Sequence, residues 1–303
     1  MANITLNGLT PRQLEVLGDA ALLAGHPMMA QSFYRRLVQA QPSSARAHTR
    51  LGLTIRATPR SQKALEIVKL LEESQSDPLY VGVGLATWHK NPPFIADPKF
   101  MALAEADFEI APSGVFNWHW NLLMVLRAVQ QAKTVPGDYV ELGVYRGHTT
   151  KFCADYVEFA GWDKRWWLYD TFEGVPADQN DSGRALSAQS YGQPFSFEEV
   201  RDRFAPYGNI TVTKGRVPEV FDEVCPDRIA FMHIDLNNSK AEVGALDALY
   251  DRLSPGGLIV FDDFCWATSA AQYQAEMAWF DARRLTVFPL PTGQGLFVKP
   301  PAA

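Results

Sequence analysis

The chain has 303 residues, 47% hydrophobic, 12% aromatic and 20% charged, enough for a substantial core and, at about 150 residues per domain, for roughly two domains. Its 28 Lys and Arg against 34 Asp and Glu give a net charge of -6, which argues against nucleic acid as the main partner because such footprints are basic. Cys153, Cys225 and Cys265 are widely spaced without a CxxC, there is no basic-then-apolar leader, and no run of about 18 apolar residues occurs, so a cytoplasmic protein without disulfides, zinc cluster or membrane span is expected.

In chain order, the first element is a repeat. Between residues 11 and 44, Leu14, Leu17, Gly18, Ala21, Gly25, Ala30, Tyr34, Leu37 and Pro42 take the large, small and terminating positions of a helical hairpin. A shift of about 34 residues lands on Leu51, Gly52, Ile55, Ala64, Val68 and Leu71. Gly18, Gly25 and Ala30 allow close helix approach, and Pro42 stops the second helix because it has no N–H to donate. The segment resembles two tetratricopeptide units, with Pro59 in place of the turn glycine and Ser76 in place of the terminating proline. Two units are fewer than the three or so that bury a solenoid core alone, so residues 11–76 are expected to pack on the rest of the chain, on a partner protein or on a second copy in a homodimer.

Residues 79–112, rich in proline and without sustained period, read as a linker between a helical domain, 1–78, and a second domain, 113–303. An amphipathic helix is expected over 115–132. Seven buried-type strands follow: DYVELGV, RWWLYD, NITVTKG, RIAFMHID, GLIVFDD, LTVFPL and QGLFVKP. Helical stretches near 147–161, 197–205, 240–253 and 268–282 alternate with them. The pattern predicts an α/β fold with a doubly wound, mostly parallel seven-stranded sheet, its last two strands an antiparallel hairpin at the edge. Such a sheet binds its ligand at the carboxyl ends of its strands.

The first strand ends in ELGVYRGHTT, where Glu141, Gly143, Tyr145, Gly147 and Thr149 form a strand-to-helix turn. Its glycines let a ligand approach the backbone, but the spacing departs from both the P-loop and the dinucleotide fingerprint, since His148 replaces the P-loop lysine and Tyr145 the middle glycine. The turn suits a cationic or zwitterionic nucleoside, or is structural. The second strand ends at Asp170, which is placed to accept ribose hydroxyls or to cap a turn, with Thr171 and Phe172 beside it for a base; Gly215 and Arg216 occupy the third strand-end loop. Asp235 ends the fourth strand and Asp262 and Asp263 the fifth. Three converging carboxylates repel unless a cation sits among them, and hard oxygen donors suit Mg²⁺, Ca²⁺ or Mn²⁺; otherwise some of them cap helices. Asn237 and Asn238 could add neutral oxygens.

Residues 113–300 resemble the class I S-adenosylmethionine-dependent methyltransferases, and within them the macrocin O-methyltransferase family that methylates sugar hydroxyls. The resemblance is carried by GDYVELGVYRGHTT, LYDTFEGVP, KGRVPEVF, HIDLNNSKAEVGALDALYDRLSPGGLIVFDDF and LPTGQGLFVK. It implies that the turn around Glu141, Gly143 and Gly147 holds the methionine part of S-adenosyl-L-methionine, that Asp170 holds its ribose, and that Asp235, Asp262 and Asp263 hold Mg²⁺. The family's DxDLY segment reads DLNNS here, so Asn237 and Ser239 replace an acidic and an aromatic residue.

The implied reaction moves a sulfonium methyl to a hydroxyl of a sugar or glycosylated small molecule, largely by positioning and charge neutralisation. Asp235 is the first candidate base, with His148 and His233 behind it. Trp162, Trp166 and Trp167 read as core; Trp118, Trp120 and Trp266 read as core or as acceptor-pocket walls. The loop over 173–196 reads as a mobile lid or a surface excursion. The competing readings are an NAD-dependent sugar oxidoreductase, opposed by the missing middle glycine, and a non-catalytic nucleoside-binding interaction protein, opposed by the clustered carboxylates.

Overall fold

The structure, a computed structural model, describes residues 8–55, 59–74, 79–81, 85–88, 90–106, 118–180 and 196–301. The chain divides into two compact units, residues 1–105 with 114–120, and residues 106–113 with 121–303.

In the first unit, Thr10, Pro11 and Gln13 start α1 (Pro11–Leu23) with a reciprocal cap, the Thr10 hydroxyl accepting the Gln13 amide and the Gln13 side chain accepting the Thr10 amide. Gly25 turns the chain at a φ of 80° into α2 (Pro27–Ala40), which stops just before Pro42. Then follow α3 (Ala45–Ile55) and α4 (Pro59–Ser74). The expected stripe is largely the observed core: Leu14, Ala21, Ala30, Tyr34, Leu37, Leu51 and Val68 are buried. Gly18 is needed for packing, since a Cβ there would lie 2.3 Å from the Tyr34 ring. The expected stop at Ser76 lies outside the described residues.

A polar bolt joins these helices. Arg50 on α3 is 0% exposed; its Nε donates to Asp19 on α1 at 3.0 Å, and its two terminal nitrogens donate to the two oxygens of Glu72 on α4, each at 2.8 Å. Tyr34 on α2 donates to the same Asp19 at 2.8 Å. A buried guanidinium needs such bidentate carboxylate pairing to offset its desolvation.

The described part of the expected linker has structure of its own and groups with the helical unit. A short antiparallel pair, β1 (Leu79–Val81) and β2 (Ala86–Trp88), precedes α5 (Pro98–Ala106). Tyr80, Phe94, Phe100, His119 and Trp120 form an aromatic cluster, with the Tyr80 hydroxyl 2.7 Å from His119 Nδ1. Trp120 is therefore a packing residue of this unit.

Residues of α6 (His119–Gln131) from Asn121 onward belong to the second unit, and the first residues of the helix expected over 115–132 lie outside the described ones. The remaining elements are β3 (Asp138–Leu142), α7 (His148–Val157), β4 (Trp166–Asp170), α8 (Phe197–Phe204), β5 (Ile210–Lys214), β6 (Ile229–Ile234), α9 (Ser239–Leu249), β7 (Leu253–Phe261), α10 (Ala270–Ala282), β8 (Phe288–Pro289) and β9 (Gly295–Val298). The sheet order is β5-β4-β3-β6-β7-β9-β8, parallel from β5 to β7 and antiparallel for the last two strands, as the strand pattern predicts. The central strand β6 is buried along its whole length, as expected of a strand covered on both faces. Strand order reverses between β3 and β6, which opens a crevice at their carboxyl ends. No described helix is long and apolar enough to cross a membrane.

Replacing Arg50 with Met leaves Asp19 and Glu72 only the half-exposed Lys69 and Arg46, at 3.6 and 3.3 Å, in place of a fully buried partner, a loss of about 3 kcal/mol. Urea unfolding with hydrogen exchange across α1–α4 should show that loss; unchanged exchange in all four helices would contradict the bolt.

Candidate active site

A cleft opens where the sheet reverses, and the first residues beyond four parallel strands line it: Gly143 after β3, Thr171 after β4, Gly215 after β5 and Asp235 after β6. In-register pairing of Glu141 with His233 sets Gly143 opposite Asp235. Gly143 has a φ of 84°, and a Cβ there would lie 1.9 Å from the Asp235 carbonyl oxygen, so only glycine fits. Asp235 N–H in turn donates to the Leu142 carbonyl at 2.8 Å.

Asp170 closes the neighbouring wall. Its Oδ2 accepts the backbone N–H groups of Val144 at 2.7 Å and Tyr145 at 2.8 Å, and its Oδ1 accepts that of Phe172 at 2.7 Å. Tyr145 and Phe172 hold positive φ values of 51° and 55°, conformations costly outside glycine, and the carboxylate offsets that cost by tying both turns together. Asp170 lines the cleft as expected, but its first work is on the backbone; Oδ1 keeps a lone pair for a ligand hydroxyl.

Of the expected cofactor residues, Gly143, Tyr145, Asp170, Thr171 and Gly215 line the cleft, while Glu141, Gly147, Thr149, Phe172 and Arg216 do not. Gly147 packs under Phe204, whose ring would lie 2.5 Å from a Cβ there. Thr149 is half-buried. Phe172 packs against Phe197, the ring centroids 5.5 Å apart and the planes tilted by 56°. Arg216 pairs with Asp178 at 2.5 and 3.1 Å. That pair, with Lys240 donating to the Asp178 carbonyl at 2.5 Å and Gln179 donating to the Val217 carbonyl at 2.9 Å, pins residues 174–179 beside the cleft. Residues 173–180 of the expected lid are thus anchored, and 181–195 lie outside the described residues. Gly174, Val175, Pro176 and Gln179 form a wall that strand-end reasoning misses, although the EGVPADQ segment directly after Asp170 carries its signal.

Glu141 points beneath the cleft floor, accepting the Thr150 hydroxyl and bonding His233 Nδ1 at 2.9 Å. The other ring nitrogen of His233 stands 3.6 Å from Asp262 Oδ1, which also accepts Gln294 Nε2 at 2.8 Å. Burial alone would strip the proton from His233, but the pull of Asp262 and Glu141 outweighs it and raises its pKa to about 10. His233 is therefore already protonated at neutral pH. His148 is buried at the start of α7, where burial and then Lys151 lower its pKa to about 4. Neither histidine lines the cleft.

Asp235 does line it, and its Oδ1 accepts Asn237 Nδ2 at 2.8 Å. Burial, then the charges of Asp262 and Asp263, raise its proton affinity well above the usual range. Asn237 holds a φ of 59° in the same turn, and Asn238 caps α9 by accepting the Ala241 N–H at 2.8 Å. Trp266 packs against Gly293, where a Cβ would lie 2.6 Å from its indole nitrogen.

Residues 120–286 match the Macrocin-O-methyltransferase (TylF) family, more than half of the chain. This chain belongs to that family. A 4'-O-methyltransferase of 8-demethyl-8-(2,3-dimethoxy-alpha-L-rhamnosyl)-tetracenomycin-C from Streptomyces olivaceus is 32% identical over 143 residues, 44% of this chain and 55% of the relative. Mycinamicin III 3''-O-methyltransferase from Micromonospora griseorubida is 29% identical over 143 residues, 43% of this chain and 56% of that protein. The chain thus spans about half the length of the curated relatives it matches. The solved O-methyltransferase NovP shares the fold at a TM-score of 0.55 and 20% identity, over 69% of this chain and 99% of NovP. Within the macrocin O-methyltransferase family the departure at DLNNS acquires a geometry: Asn237 is turned onto Asp235, and Ser239 opens α9.

Asp170→Ala removes an acceptor from three backbone amides and frees two positive-φ turns, so affinity for a ligand of this cleft should fall at least about tenfold. Calorimetry with S-adenosylhomocysteine checks this, and an unchanged constant would contradict the tie.

Proposed function

We propose that this chain is an S-adenosylmethionine-dependent O-methyltransferase acting on a hydroxyl of a sugar or glycosylated small molecule. The observation that carries the proposal is the cleft at the carboxyl ends of β3 to β6, walled by the Gly143 turn and Asp170 and floored by Asp235, in a chain of the macrocin O-methyltransferase family. The names of the curated relatives, which act on a rhamnosyl tetracenomycin and on mycinamicin III, support the sugar class.

In this reading the Gly143 turn admits the methionine end of the cofactor, and the free lone pair of Asp170 Oδ1 meets its ribose. S-adenosylmethionine supplies the methyl group on a sulfonium. Asp235 takes the proton of the acceptor hydroxyl, a role suited to a cleft-lining carboxylate whose proton affinity burial and then its acidic neighbours raise. Neither histidine shares this role, because His233 holds its proton at neutral pH and His148 binds one too weakly. His233 acts instead as a fixed positive charge between Glu141 and Asp262.

Asp235, Asp262 and Asp263 are hard oxygen donors of the type Mg²⁺ takes, and burial followed by the charges of Asp262 and Asp263 raises the proton affinity of Asp235. Among the described residues, no three His, Cys, Asp or Glu groups stand in a ligating arrangement.

S-adenosylhomocysteine should bind in the micromolar range, of order -8 kcal/mol, and Mg²⁺ should be measured alongside by calorimetry with and without chelator. Asp235→Ala should keep S-adenosylhomocysteine affinity within about threefold while methyl transfer to sugar acceptors falls at least about a hundredfold. Absence of binding in any condition would favour an oxidoreductase or scaffold, and an undiminished rate in the variant would remove Asp235 from its role.

A further inference from the structure

Behind the cleft, two carboxyl groups meet out of contact with water. Glu242 in the first turn of α9 and Glu276 in α10 are both 0% exposed. Glu242 Oε1 accepts the backbone N–H of Leu236 at 3.1 Å, and its Oε2 accepts Gln272 Nε2 at 3.0 Å. Gln272 stands one helical turn before Glu276, so α10 turns both toward α9. Among the described residues, neither oxygen of Glu276 receives a hydrogen bond of good geometry, although the Gln272 side chain lies close enough to favour its charged form.

Two ionised carboxylates there would repel in surroundings that hydrate neither, whereas one shared proton lets the first donate to the second. Among the described residues, the titratable groups that act most strongly on the pair are acids: Asp235, after β6, faces Glu242, while Asp263 and Cys265, after β7, face Glu276. Burial, with Asp263 and Cys265 adding to it, raises Glu276 to about 7, and burial followed by Glu276 holds Glu242 well above the usual carboxyl range. A single shared proton is therefore favoured over two bare charges.

Leu236 lies between Asp235 and Asn237 in the turn after β6, and all three line the cleft. The φ of 59° at Asn237 shows that this turn is not a relaxed one. We propose that Glu242, paired with Glu276 through a proton, is a positioning residue: its carboxyl group fixes the Leu236 amide and so the direction in which Asp235 and Asn237 face the cleft. Neither glutamate touches the cleft, so the effect passes through the turn. The proposal rests on reading the cleft as the S-adenosylhomocysteine site.

The test uses the full chain and the variants Glu242→Leu, Glu242→Gln and Glu276→Gln. Glutamine at 242 can still accept from Leu236 and donate to Glu276, with the Gln272 amide turned over so that its oxygen meets the new NH2, so it should restore what leucine destroys. S-adenosylhomocysteine affinity should fall about tenfold in Glu242→Leu, and exchange in the peptide holding Leu236 should speed up about tenfold, both staying within about threefold of the parent in Glu242→Gln. If Glu242→Leu does not fold, Glu242→Asp takes its place, since it draws the carboxyl back by one methylene. The shared proton has its own readout. A carboxyl raised from its ordinary value near 4.5 to about 7 contributes stability that is full below 4.5 and lost as pH rises through 7. The parent's melting temperature should thus fall more between pH 5 and 8 than that of Glu276→Gln. Unchanged affinity and exchange in Glu242→Leu, equal damage in leucine and glutamine variants, or equal pH slopes would each overturn the proposal. A parent that binds no S-adenosylhomocysteine would sink the reading of the cleft, while exchange at Leu236 would still decide the role of Glu242.

Discussion

The close approach of the Gly143 backbone to the Asp235 carbonyl is the constraint on which the site depends. A methyl group does not fit between them. Because β3 and β6 are hydrogen-bonded neighbours at the reversal of strand order, this approach brings two chemically different walls together. One is a glycine turn that leaves backbone open to a ligand; the other is a carboxylate with raised proton affinity. Asp170 then secures the turn from the side, tying three amides to the end of β4. The strain at Tyr145, Phe172 and Asn237 is concentrated in these strand-end turns and held there by side-chain hydrogen bonds.

Charge in this unit is arranged in layers. Asp235 faces the cleft, while beneath it the row Glu141, His233 and Asp262 places one positive ring between two carboxylates. Further back lie Glu242 and Glu276, for which no cation stands among the described residues and a proton serves instead. The three layers offset buried negative charge by three different means: the cleft's own ligands, a fixed imidazolium and a shared hydrogen.

How much of this is legible in the sequence depends on the range of the interaction. Strands β3 to β7, their intervening helices and the terminal hairpin follow from local runs and periods, and so do the carboxylates at strand ends, because a strand end is a local feature. The direction in which Glu141 points is not local. It depends on its in-register pairing with His233, 92 residues away, which turns both side chains to a buried face. Arg216 is similar: its sequence place suggests a ligand, but Asp178, 38 residues upstream, engages it first. The wall at 174–179 escapes because its composition is that of an ordinary loop. Residues 79–106 escape because two three-residue strands and an aromatic cluster have too little period to detect.

The bolt in the helical unit bears on how that unit could change over time. Repeat arrays ordinarily gain or lose modules because each interface resembles the next. Here Asp19, Tyr34, Arg50 and Glu72 contribute one side chain from each of four helices to a single buried knot. Deleting the first hairpin would take Asp19 and Tyr34 out of the knot and deleting the second would take Arg50 and Glu72, so neither hairpin can be lost without breaking the interface that joins them.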